Sequence, residues 1–467
     1  MAKKAIDKKN ILALVLMAGK GKRMKSETPK VLHRIAGLPM GYYVLKALDA
    51  AGIKNRFVVT GFGAEMVENE FKGEKFIRQE PQKGTGHAVL TARKYIPKNI
   101  THILIINGDT PLLTPNSIRS VISLLGKPGC KAVISCDWKA DPFGLGRLIT
   151  DEKGNFKAIK EEKDCNKSER NIEWVNVGLY GFEKEILNKY LDKLTNKNKQ
   201  KELYLTDIPV MIIKNGGQVE VYMADDDSFL VMPNDRKDIA QASMIIQNRL
   251  LNKHMENGVT IIDPCRTYID FSVKIASDVI IHPDTYLKGK TSIDKYSEIG
   301  PSVTIQNSRI GSNVRIQYSV IDEARIDDEC RIGPYSRIRP KTRLKKGVRI
   351  GNFCEIKKST IGEDARINHL SYIGDATIGK RVNIGAGTIT CNFDGKKKHK
   401  TIIGDGAFIG SDSILVAPLK IGAGTKTGAG SVITRDVPGE HLVMGVPARV
   451  IRKLDKDEII EKKDSGR

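Results

Sequence analysis

The spacing of hydrophobic positions changes once along the chain, near residue 258. Before that point, short apolar runs alternate with segments of helical spacing. The runs "ILALVLMAG", "RFVVTGFG", "THILIINGDTP" and "KAVISCDW" predict buried strands, and "MGYYVLKALDAAG" predicts a helix that stops at its glycine, Gly52. Strands that alternate with helices favour a mostly parallel sheet covered on both faces, with ligands at the carboxyl ends of the strands. The first part of the chain is therefore predicted to be an α/β domain.

After residue 258, aliphatic residues recur every six positions, and glycine directly follows many of them. This is the hexapeptide repeat of a parallel β-helix, in which each unit supplies a short strand and a turn. The aliphatic side chains point inward and form one continuous core. The repeat positions are Ile281, Leu287, Ile293, Ile299, Ile305, Ile326, Ile332, Ile338, Leu344, Ile350, Ile356, Ile361, Ile367, Ile373, Ile403, Ile409, Leu415 and Ile421.

The repeat breaks between Ile384 and Ile403, where the basic segment "TCNFDGKKKHK" is inserted. Insertions in solenoids leave the coil as loops, often on the binding face. We therefore expect this loop to contribute to a site. The predicted organisation is a Lys-rich extension over 1–10, an α/β domain over 11–234, a linker helix over 235–257, a β-helix over 258–454 and a polar tail over 455–467.

Composition narrows the functional classes. The formal net charge is +22, from 77 Lys and Arg against 55 Asp and Glu. This charge suits phosphate-rich ligands, although a lysine-rich proteome explains it equally well. Basic residues are spread without aromatic interleaving, which disfavours nucleic-acid binding. Seven cysteines without a CxxC pair predict reduced thiols and a cytoplasmic protein. The run "ILALVLMAG" is short and lacks a cleavage site, so it predicts a first strand, and no run is long enough for membrane insertion.

Two motifs in the first domain carry candidate phosphate chemistry. "AGKGKRM" matches neither common phosphate loop, but glycines after a buried strand let backbone N–H groups approach an anion, and Arg23 and Lys30 add positive charge. The alternative is a tight strand-to-helix turn. Asp109 in "NGDTP" follows another buried strand, where a carboxylate could hold Mg²⁺ against phosphates or simply cap a turn.

One histidine in the repeat region is a candidate general base. His369 lies in "NHLSYIGDA", and neighbouring coils can bring Arg339, Lys357 and Lys398 towards it. Nearby cations lower the pKa of a histidine, and a neutral imidazole can accept a proton. The alternative is a surface histidine with ordinary polar partners.

These motifs together resemble one enzyme family. "LMAGKGKRM", "GTGHA", "GDTPL" and "GLGRL" resemble pyrophosphorylase-type sugar nucleotidyltransferases, which have a Rossmann-like domain. "NHLSYIGDA", "VNIGAGTITCNFDGKKKHKT" and "IGSDSILVAP" resemble the acetyltransferase half, a left-handed β-helix, of the bifunctional N-acetylglucosamine-1-phosphate uridyltransferase/glucosamine-1-phosphate acetyltransferases. The resemblance covers about residues 11–450. It implies acetyl transfer from acetyl-CoA to glucosamine 1-phosphate, then uridyl transfer from UTP with release of pyrophosphate, giving the cell-envelope precursor UDP-N-acetylglucosamine.

The resemblance also implies roles for individual residues of the first domain. The nucleotide loop would be Leu16, Met17, Ala18 and Gly19, with Arg23 and Lys30 as catalytic cations. Asp109 and Asn234 would hold Mg²⁺. The remaining nucleotide- and sugar-binding residues would be Gln79, Gly84, Thr85, Gly108, Gly146, Glu161 and Asn176.

In the β-helix, the resemblance makes His369 the base on the sugar amine. The sugar phosphate would contact Arg339, Lys357, Tyr372, Asn383 and Lys398, and acetyl-CoA would contact Ala386, Asn392, Phe393, Ser411 and Ala429. The family is trimeric, so a homotrimer is expected, with small molecules as its other partners.

The sequence departs from the family pattern at four places, one of which is conservative, namely Phe393 where a tyrosine is common. Val177 replaces a small hydroxyl residue, Met232–Pro233 alter the segment before Asn234, and Gly445 replaces an arginine near CoA, for which Arg449 or Arg452 could substitute. Two alternatives therefore stay open. One is a single-activity nucleotidyltransferase with a structural β-helix. The other is a basic scaffold that needs neither Asp109 nor His369.

Overall fold

A computed structural model describes residues 6–152, 154–224 and 232–459 of the chain. Within it the chain forms two compact units, Met1–Ile246 and Gln247–Arg467. Parts of three sequence predictions lie outside the described residues: residues 1–5 of the Lys-rich extension, residues 460–467 of the tail, and residues 229–231 of the altered segment before Asn234.

The first unit contains the strands and helices that the apolar runs predict. In the described residues its strands are β1 (Ile11–Met17), β2 (Arg34–Ile35), β3 (Leu38–Pro39), β4 (Arg56–Thr60), β5 (Phe76–Arg78), β6 (His102–Asn107), β7 (Cys130–Trp138), β8 (Arg147–Thr150), β9 (Phe156–Lys160), β10 (Trp174–Glu183) and β11 (Gln218–Met223). Its helices are α1 (Met40–Ala51), α2 (Ala64–Glu70), α3 (Thr85–Arg93), α4 (Pro115–Leu125), α5 (Lys184–Leu191) and α6 (Asp207–Lys214).

The main sheet is mostly parallel, as predicted. Its strand order is β11-β7-β10-β6-β1-β4-β5, with β8 and β9 paired beside β10. Strand β10 runs antiparallel to both β6 and β7, which the sequence pattern did not reveal. The register of β10 shifts between Asn176 and Tyr180, where Gly178 has a φ of 72°. A side chain disfavours this left-handed conformation, so glycine permits the irregularity.

The sheet is covered on both faces, again as predicted. Alternate residues of β1 enter two different cores: Ala13 and Val15 pack with α1 and α4, whereas Leu12 and Leu14 pack with α3 and α5. All four side chains are almost fully buried. Because β1 lies between β4 and β6 and parallel to both, the carboxyl ends of these three strands meet at one edge.

The predicted linker helix corresponds to α7, Arg236–Glu256, which is followed by Gly258 with a φ of 87°. A glycine in this conformation is a common helix terminator. The two compact units divide the chain within α7, so the domain boundaries derived from the sequence stay a prediction. In the described residues, no helix combines the length and apolar character needed to cross a membrane.

The second unit is a left-handed parallel β-helix, in agreement with the hexapeptide repeat. Its described strands form three sheets. The first contains β12 (Thr260–Ile261), β15 (Ile280–Ile281), β18 (Glu298–Ile299), β21 (Arg315–Ile316), β24 (Arg331–Ile332), β27 (Arg349–Asn352), β30 (Arg366–His369), β33 (Asn383–Ile384), β36 (Phe408–Ile409), β39 (Lys426–Thr427), β41 (His441–Gly445) and β42 (Ala448–Lys453).

The second sheet contains β13 (Thr267–Ile269), β16 (Thr285–Lys288), β19 (Thr304–Gln306), β22 (Val320–Asp322), β25 (Arg337–Ile338), β28 (Glu355–Lys357), β31 (Tyr372–Gly374), β34 (Ile389–Cys391), β37 (Ile414–Val416) and β40 (Val432–Ile433). The third contains β14 (Lys274–Ile275), β17 (Ser292–Ile293), β20 (Arg309–Ile310), β23 (Arg325–Ile326), β26 (Arg343–Leu344), β29 (Thr360–Ile361), β32 (Ala376–Ile378), β35 (Thr401–Ile403) and β38 (Leu419–Ile421). The short helix α8 (Lys456–Ile459) follows.

Successive coils pair in exact register, which aligns the repeat positions into columns. In the first sheet, Ile332 pairs with Ile350, Ile350 with Ile367, and Ile367 with Ile384. These side chains belong to one continuous buried core that runs through the unit. The inserted loop interrupts the spacing of the repeat without disturbing this register, since Ile378 still pairs with Ile403 on the next coil.

The core column predicts where the β-helix loses most stability. Ile338 is fully buried in the second sheet, and Ile338→Ala should reduce the free energy of unfolding by about 2–5 kcal/mol because it leaves a cavity. The matched control is Val320→Ala in the same sheet, where the valine is 46% exposed. Denaturant unfolding followed by circular dichroism measures both changes. Equal losses for the two variants would contradict a core organised around the inward column.

Candidate active sites

A cavity of about 710 Å³ lies in the first unit, where the loops after β1, β5 and β6 meet. Many of the sequence-predicted residues line it. They are Leu16, Met17, Ala18, Gly19, Arg23, Lys30, Gln79, Gly84, Thr85, Asp109 and Asn234. The glycine loop is thus more than a corner, because it forms one wall of a cavity large enough for a nucleotide.

Lys30 links two oxygens that come from distant parts of the chain. Its Nζ donates to Asp109 Oδ2 at 2.5 Å and to Asn234 Oδ1 at 3.0 Å. The Lys30 side chain is 10% exposed, so little water screens these contacts. Asn234 is held in place because its backbone N–H donates to Asp238 Oδ2 at 2.7 Å. Two hard oxygen ligands therefore converge on one cationic nitrogen beside the glycine loop.

Gln79, Gly84 and Thr85 form the opposite wall. Gly84 has a φ of 99°, and a Cβ there would lie 2.7 Å from the Leu203 carbonyl oxygen, so only glycine fits. Helix α3 begins at Thr85, whose Oγ1 accepts the backbone N–H of Leu205 at 3.2 Å. Gln79 is almost fully buried and follows β5.

Three predicted sugar-binding residues form a separate group next to this cavity. The Asn176 backbone N–H donates to the Gly146 carbonyl at 2.8 Å, and a Cβ on Gly146 would lie 3.6 Å from Glu161 Oε1. Burial, with a smaller contribution from the carboxylates of Asp164, Glu202 and Asp207, raises the pKa of Glu161 to about 7. Glu202 also lines the cavity, which connects the two groups of residues. Gly108 lies at the end of β6, where its N–H donates to the Leu16 carbonyl at 2.8 Å.

Two of the departures from the family pattern have structural explanations. Val177 is 1% exposed and packs into the core beneath the sheet, so its side chain does not point towards the cavity. Met232 packs against Leu145 and Val175 and thereby supports the neighbour of Gly146. Nothing in the structure explains Pro233.

Several residues that line the cavity were not predicted from the sequence. Lys20, Gln82, Asn107, Lys163, Gln200 and Glu202 also line the cavity. Gln82 lies two positions before Gly84, so its proximity to "GTGHA" was an available signal. Lys163, Gln200 and Glu202 come from loops without a motif, and only the folded chain brings them together.

In the second unit, His369 lies at the end of β30 and is exposed. Its Nδ1 lies 3.2 Å from Asn352 Oδ1 on the preceding coil. With the Asn352 amide oxygen facing the ring, Nδ1 is the donor in this contact, and the Nε2 lone pair is available. This is the tautomer that the predicted base would need for proton abstraction.

The predicted phosphate-binding cations lie close together beside the strand β28. The ammonium of Lys398 lowers the pKa of Lys357, with further contributions from burial and from Arg339. Arg339 is itself paired with Glu355 at 2.6 Å. Tyr372 lies on β31, next to β28, and Asn383 lies on β33. Like charges this close cost free energy, which a bound anion would relieve.

The inserted loop is anchored beneath this cluster. Asn392 is buried, and its Nδ2 donates to Asp375 Oδ2 at 2.6 Å, while Lys358 Nζ pairs with Asp375 at 3.1 Å. At the tip, backbone N–H groups of Lys397 and Lys396 and the ring of His399 hold the pKa of Asp394 well below its usual range. The loop closes on itself through the bridge between Phe393 and Lys398.

Three of the predicted acetyl-CoA residues, Ala386, Ser411 and Ala429, form a column along one corner of the β-helix. The Asp412 N–H donates to the Ala386 carbonyl at 2.6 Å, and the Gly430 N–H donates to the Ser411 carbonyl at 2.8 Å. The register Arg366↔Asn383 places His369 one coil before Ala386 in this same column, and Phe408↔Lys426 places Ala429 one coil after Ser411. Phe393 is 58% exposed beside it. In this column His369 lies one coil from Ala386, and Asn352 lies one coil further along.

The two arginines near Gly445 differ in their partners. Arg452 forms a bidentate pair with Glu458, both contacts being 2.7 Å. In the described residues, Arg449 has a hydrogen bond only to the Ala448 carbonyl, at 3.1 Å. Of these two residues, Arg449 therefore has the guanidinium that remains available to an anion.

The raised pKa of Glu161 predicts a pH-dependent stability difference. Because the folded pKa lies above the ordinary glutamate value of 4.5, folding favours the protonated form, and this stability is lost as pH rises through about 7. Glu161→Gln cannot ionise, so above pH 7 it should be more stable than the wild type by about 3 kcal/mol.

The difference should shrink towards pH 4.5, measured by denaturant unfolding at several pH values. Glu185→Gln is the matched control, since the Glu185 side chain is 79% exposed. A difference that does not change with pH would show that the carboxyl titrates normally.

Comparison with known proteins agrees with this geometry. Residues 13–165 match a MobA-like NTP transferase domain, and residues 321–421 match a GMPPB C-terminal domain. The chain is 44% identical over 443 residues to a bifunctional protein GlmU of Carboxydothermus hydrogenoformans, covering 95% of this chain and 99% of the relative.

Two further relatives carry the same name. The GlmU of Heliobacterium modesticaldum is 44% identical over 434 residues, covering 92% of this chain and 94% of the relative. The GlmU of Geobacillus thermodenitrificans is 41% identical over 454 residues, covering 97% and 99%. At this identity and coverage, the chain belongs to the GlmU family of bifunctional uridyltransferases and acetyltransferases.

Proposed function

We propose that the two described clusters of residues divide the two family reactions between the two units. The chain is a bifunctional enzyme of UDP-N-acetylglucosamine synthesis. The single observation that carries the division is that His369, at the foot of the Ala386–Ser411 column, lies in the second unit, whereas the Lys30–Asp109 pair lies in the first.

In the second unit, His369 acts as the general base. As the amine nitrogen of glucosamine 1-phosphate attacks the acetyl carbonyl carbon, His369 Nε2 takes the amine proton and the CoA thiolate leaves. Arg339, Lys357 and Lys398 hold the sugar phosphate, with Tyr372 and Asn383 beside it. Acetyl-CoA lies along the column of Ala386, Ser411 and Ala429, against Asn392 and Phe393, with Arg449 near its phosphates.

In the first unit, a phosphate oxygen of N-acetylglucosamine 1-phosphate attacks the α-phosphorus of UTP, and pyrophosphate leaves. This reaction depends on positioning and charge neutralisation, not on covalent catalysis. The loop Leu16–Gly19, with Arg23 and Lys30, holds the phosphates. Gln79, Gly84 and Thr85 hold the base, and the sugar lies against Gly108, Gly146, Glu161 and Asn176.

Asp109 and Asn234 fit a magnesium site. Their oxygens converge on one cationic atom, Lys30 Nζ, and Mg²⁺ prefers oxygen ligands, often one or two from the protein with phosphates completing the shell. Bound there, Mg²⁺ would neutralise charge on the reacting phosphates. Lys30 and Arg23 add the positive charge that this chain supplies itself.

We further propose a homotrimer in the cytoplasm. His369 and Phe393 are exposed on the β-helix, and catalysis in a water-excluded site would require a neighbouring copy to cover them. The seven cysteines are free, which suits a reducing compartment. The domain boundaries given above, 11–234 and 258–454, belong to the same proposal.

One assay tests the proposed division. The purified protein is incubated with glucosamine 1-phosphate, acetyl-CoA, UTP and Mg²⁺, and free CoA and pyrophosphate are followed separately. Release of both products is expected. Absence of CoA release would favour a single-activity uridyltransferase with a structural β-helix. Absence of pyrophosphate when N-acetylglucosamine 1-phosphate is supplied would contradict the role of the first unit.

His369→Ala should reduce acetyl transfer by about 100- to 10,000-fold, since the base is lost, and should leave uridyl transfer unchanged. His282→Ala is the matched control, because this histidine pairs with Glu298 on an early coil of the same β-helix. CoA release and pyrophosphate release are measured for both variants. Equal loss of both activities in His369→Ala would contradict two separate sites.

Asp109→Asn should produce the opposite pattern. Loss of the carboxylate should reduce pyrophosphate release at least about 100-fold, because Asp109 would hold the Mg²⁺ that neutralises the reacting phosphates, and should spare CoA release. Asp192→Asn is the control, since the Asp192 side chain is 65% exposed in a surface pair. Chelation of Mg²⁺ should likewise abolish pyrophosphate release alone. Retention of pyrophosphate release in Asp109→Asn would remove this residue from the mechanism.

A further inference from the structure

The amide of Gln79 is fixed by two acceptors on one side. Its Nε2 lies 3.0 Å from the Gly84 carbonyl oxygen and 3.1 Å from His87 Nδ1. A carbonyl oxygen can only accept, so the atom facing Gly84 must be the amide nitrogen. This contact alone fixes the orientation of the Gln79 amide, whatever the protonation of the histidine.

The second contact determines the state of His87. The other Nε2 proton of Gln79 points to His87 Nδ1, which must therefore carry a lone pair, with the ring proton on Nε2. Burial lowers the pKa of His87, and Lys83 lowers it further, so the neutral ring is favoured. With both amide protons engaged, rotation of the Gln79 amide would lose two hydrogen bonds at once.

The remaining atom of the amide is left for a ligand. In the described residues Gln79 Oε1 has no protein hydrogen-bond partner, yet it is not among the buried unpaired atoms, and Gln79 lines the cavity of the first unit. Gln79 Oε1 is therefore a hydrogen-bond acceptor with a fixed position beside Gly84 and Thr85. Helix α3 begins there, and the first turn of a helix has backbone N–H groups that can serve as donors.

We propose that His87 is a positioning residue for base selection: it holds Gln79 so that Oε1 accepts the imide N–H of uracil and rejects cytosine. Uracil carries a donor at N3 between two carbonyl acceptors, whereas cytosine has a lone pair at N3, which would face the Gln79 oxygen. This inference rests on the proposed uridine site. His87 does not line the cavity and touches the base only through Gln79.

The test compares His87→Leu with His87→Asn. Leucine cannot accept a hydrogen bond, whereas an asparagine Oδ1 can replace Nδ1 as the acceptor. For uridyl transfer by His87→Leu, kcat/KM for UTP should fall about tenfold, mainly through KM, because one orienting hydrogen bond is lost. Its kcat/KM for CTP should fall less or rise, so the preference for UTP narrows. His87→Asn should restore most of that preference.

An equal loss for UTP and CTP, or a preference for UTP that does not change, would overturn the positioning role. UTP and CTP binding is also measured by calorimetry, so the preference can be tested without turnover. If the wild-type protein binds UTP preferentially but releases no pyrophosphate, the proposed reaction fails while the inference about His87 stands or falls on the binding data.

A measurement on the wild type avoids dependence on folded variants. Long-range ¹H–¹⁵N correlation spectra of histidine-labelled protein, assigned by comparison with His87→Asn, should show the Nε2–H tautomer for His87. A proton on Nδ1 would contradict the contact with Gln79 and overturn the inference.

Discussion

Parallel pairing of strands in fixed register is the constraint on which both units depend. In the first unit it aligns β1, β4 and β6 so that the loops following neighbouring strands surround one cavity. In the second unit it stacks coil on coil, which places His369, Ala386 and Ser411 in one column although they are far apart in sequence. The candidate site residues of both units lie where the pairing leaves polar groups at an edge or corner, while the aliphatic side chains it aligns fill the cores.

The two candidate sites differ in whether their lysine side chains are paired with a carboxylate. Lys30 is neutralised by Asp109 at 2.5 Å, so a bound phosphate has to compete with, or rearrange, an existing ion pair. Lys357 and Lys398 are left facing one another, and their repulsion lowers the pKa of Lys357. The second arrangement stores a free-energy cost that an anion relieves on binding. The difference suits the proposed division of the reactions, in which the first unit would transfer a nucleotidyl group between phosphates and the second would use its phosphate contacts only to hold the substrate.

Much of the fold could be predicted from the spacing of apolar residues alone, because the strand–helix alternation and the six-residue repeat both continue over long stretches of the chain. The alternation of strands and helices predicted the sheet, and the six-residue period predicted the β-helix down to its inward residues. The antiparallel β10 was missed, since an apolar run does not reveal its direction and Gly178 gives only a local signal. In the sites, motif residues such as Asp109 and His369 were predicted, whereas Lys163 and Gln200 come from loops whose approach depends on tertiary packing. The pairing of Gln79 with His87 is of the same kind, because it depends on one hydrogen bond across a turn.

The insertion between Asn392 and Lys400 shows how a β-helix can carry an added loop without a change in its strand register. The loop leaves the coil, folds back through Phe393 and Lys398, and returns with Ile378 and Ile403 still in register. Each coil is a closed unit that contacts only its neighbours, so the cross-section of the solenoid is insensitive to what a corner carries. Loops of other lengths and compositions could therefore replace this one during evolution without any change in the packing of the core. Under the proposed function, a change of substrate contacts in this loop would therefore leave the aliphatic core, and the stability that it provides, unchanged.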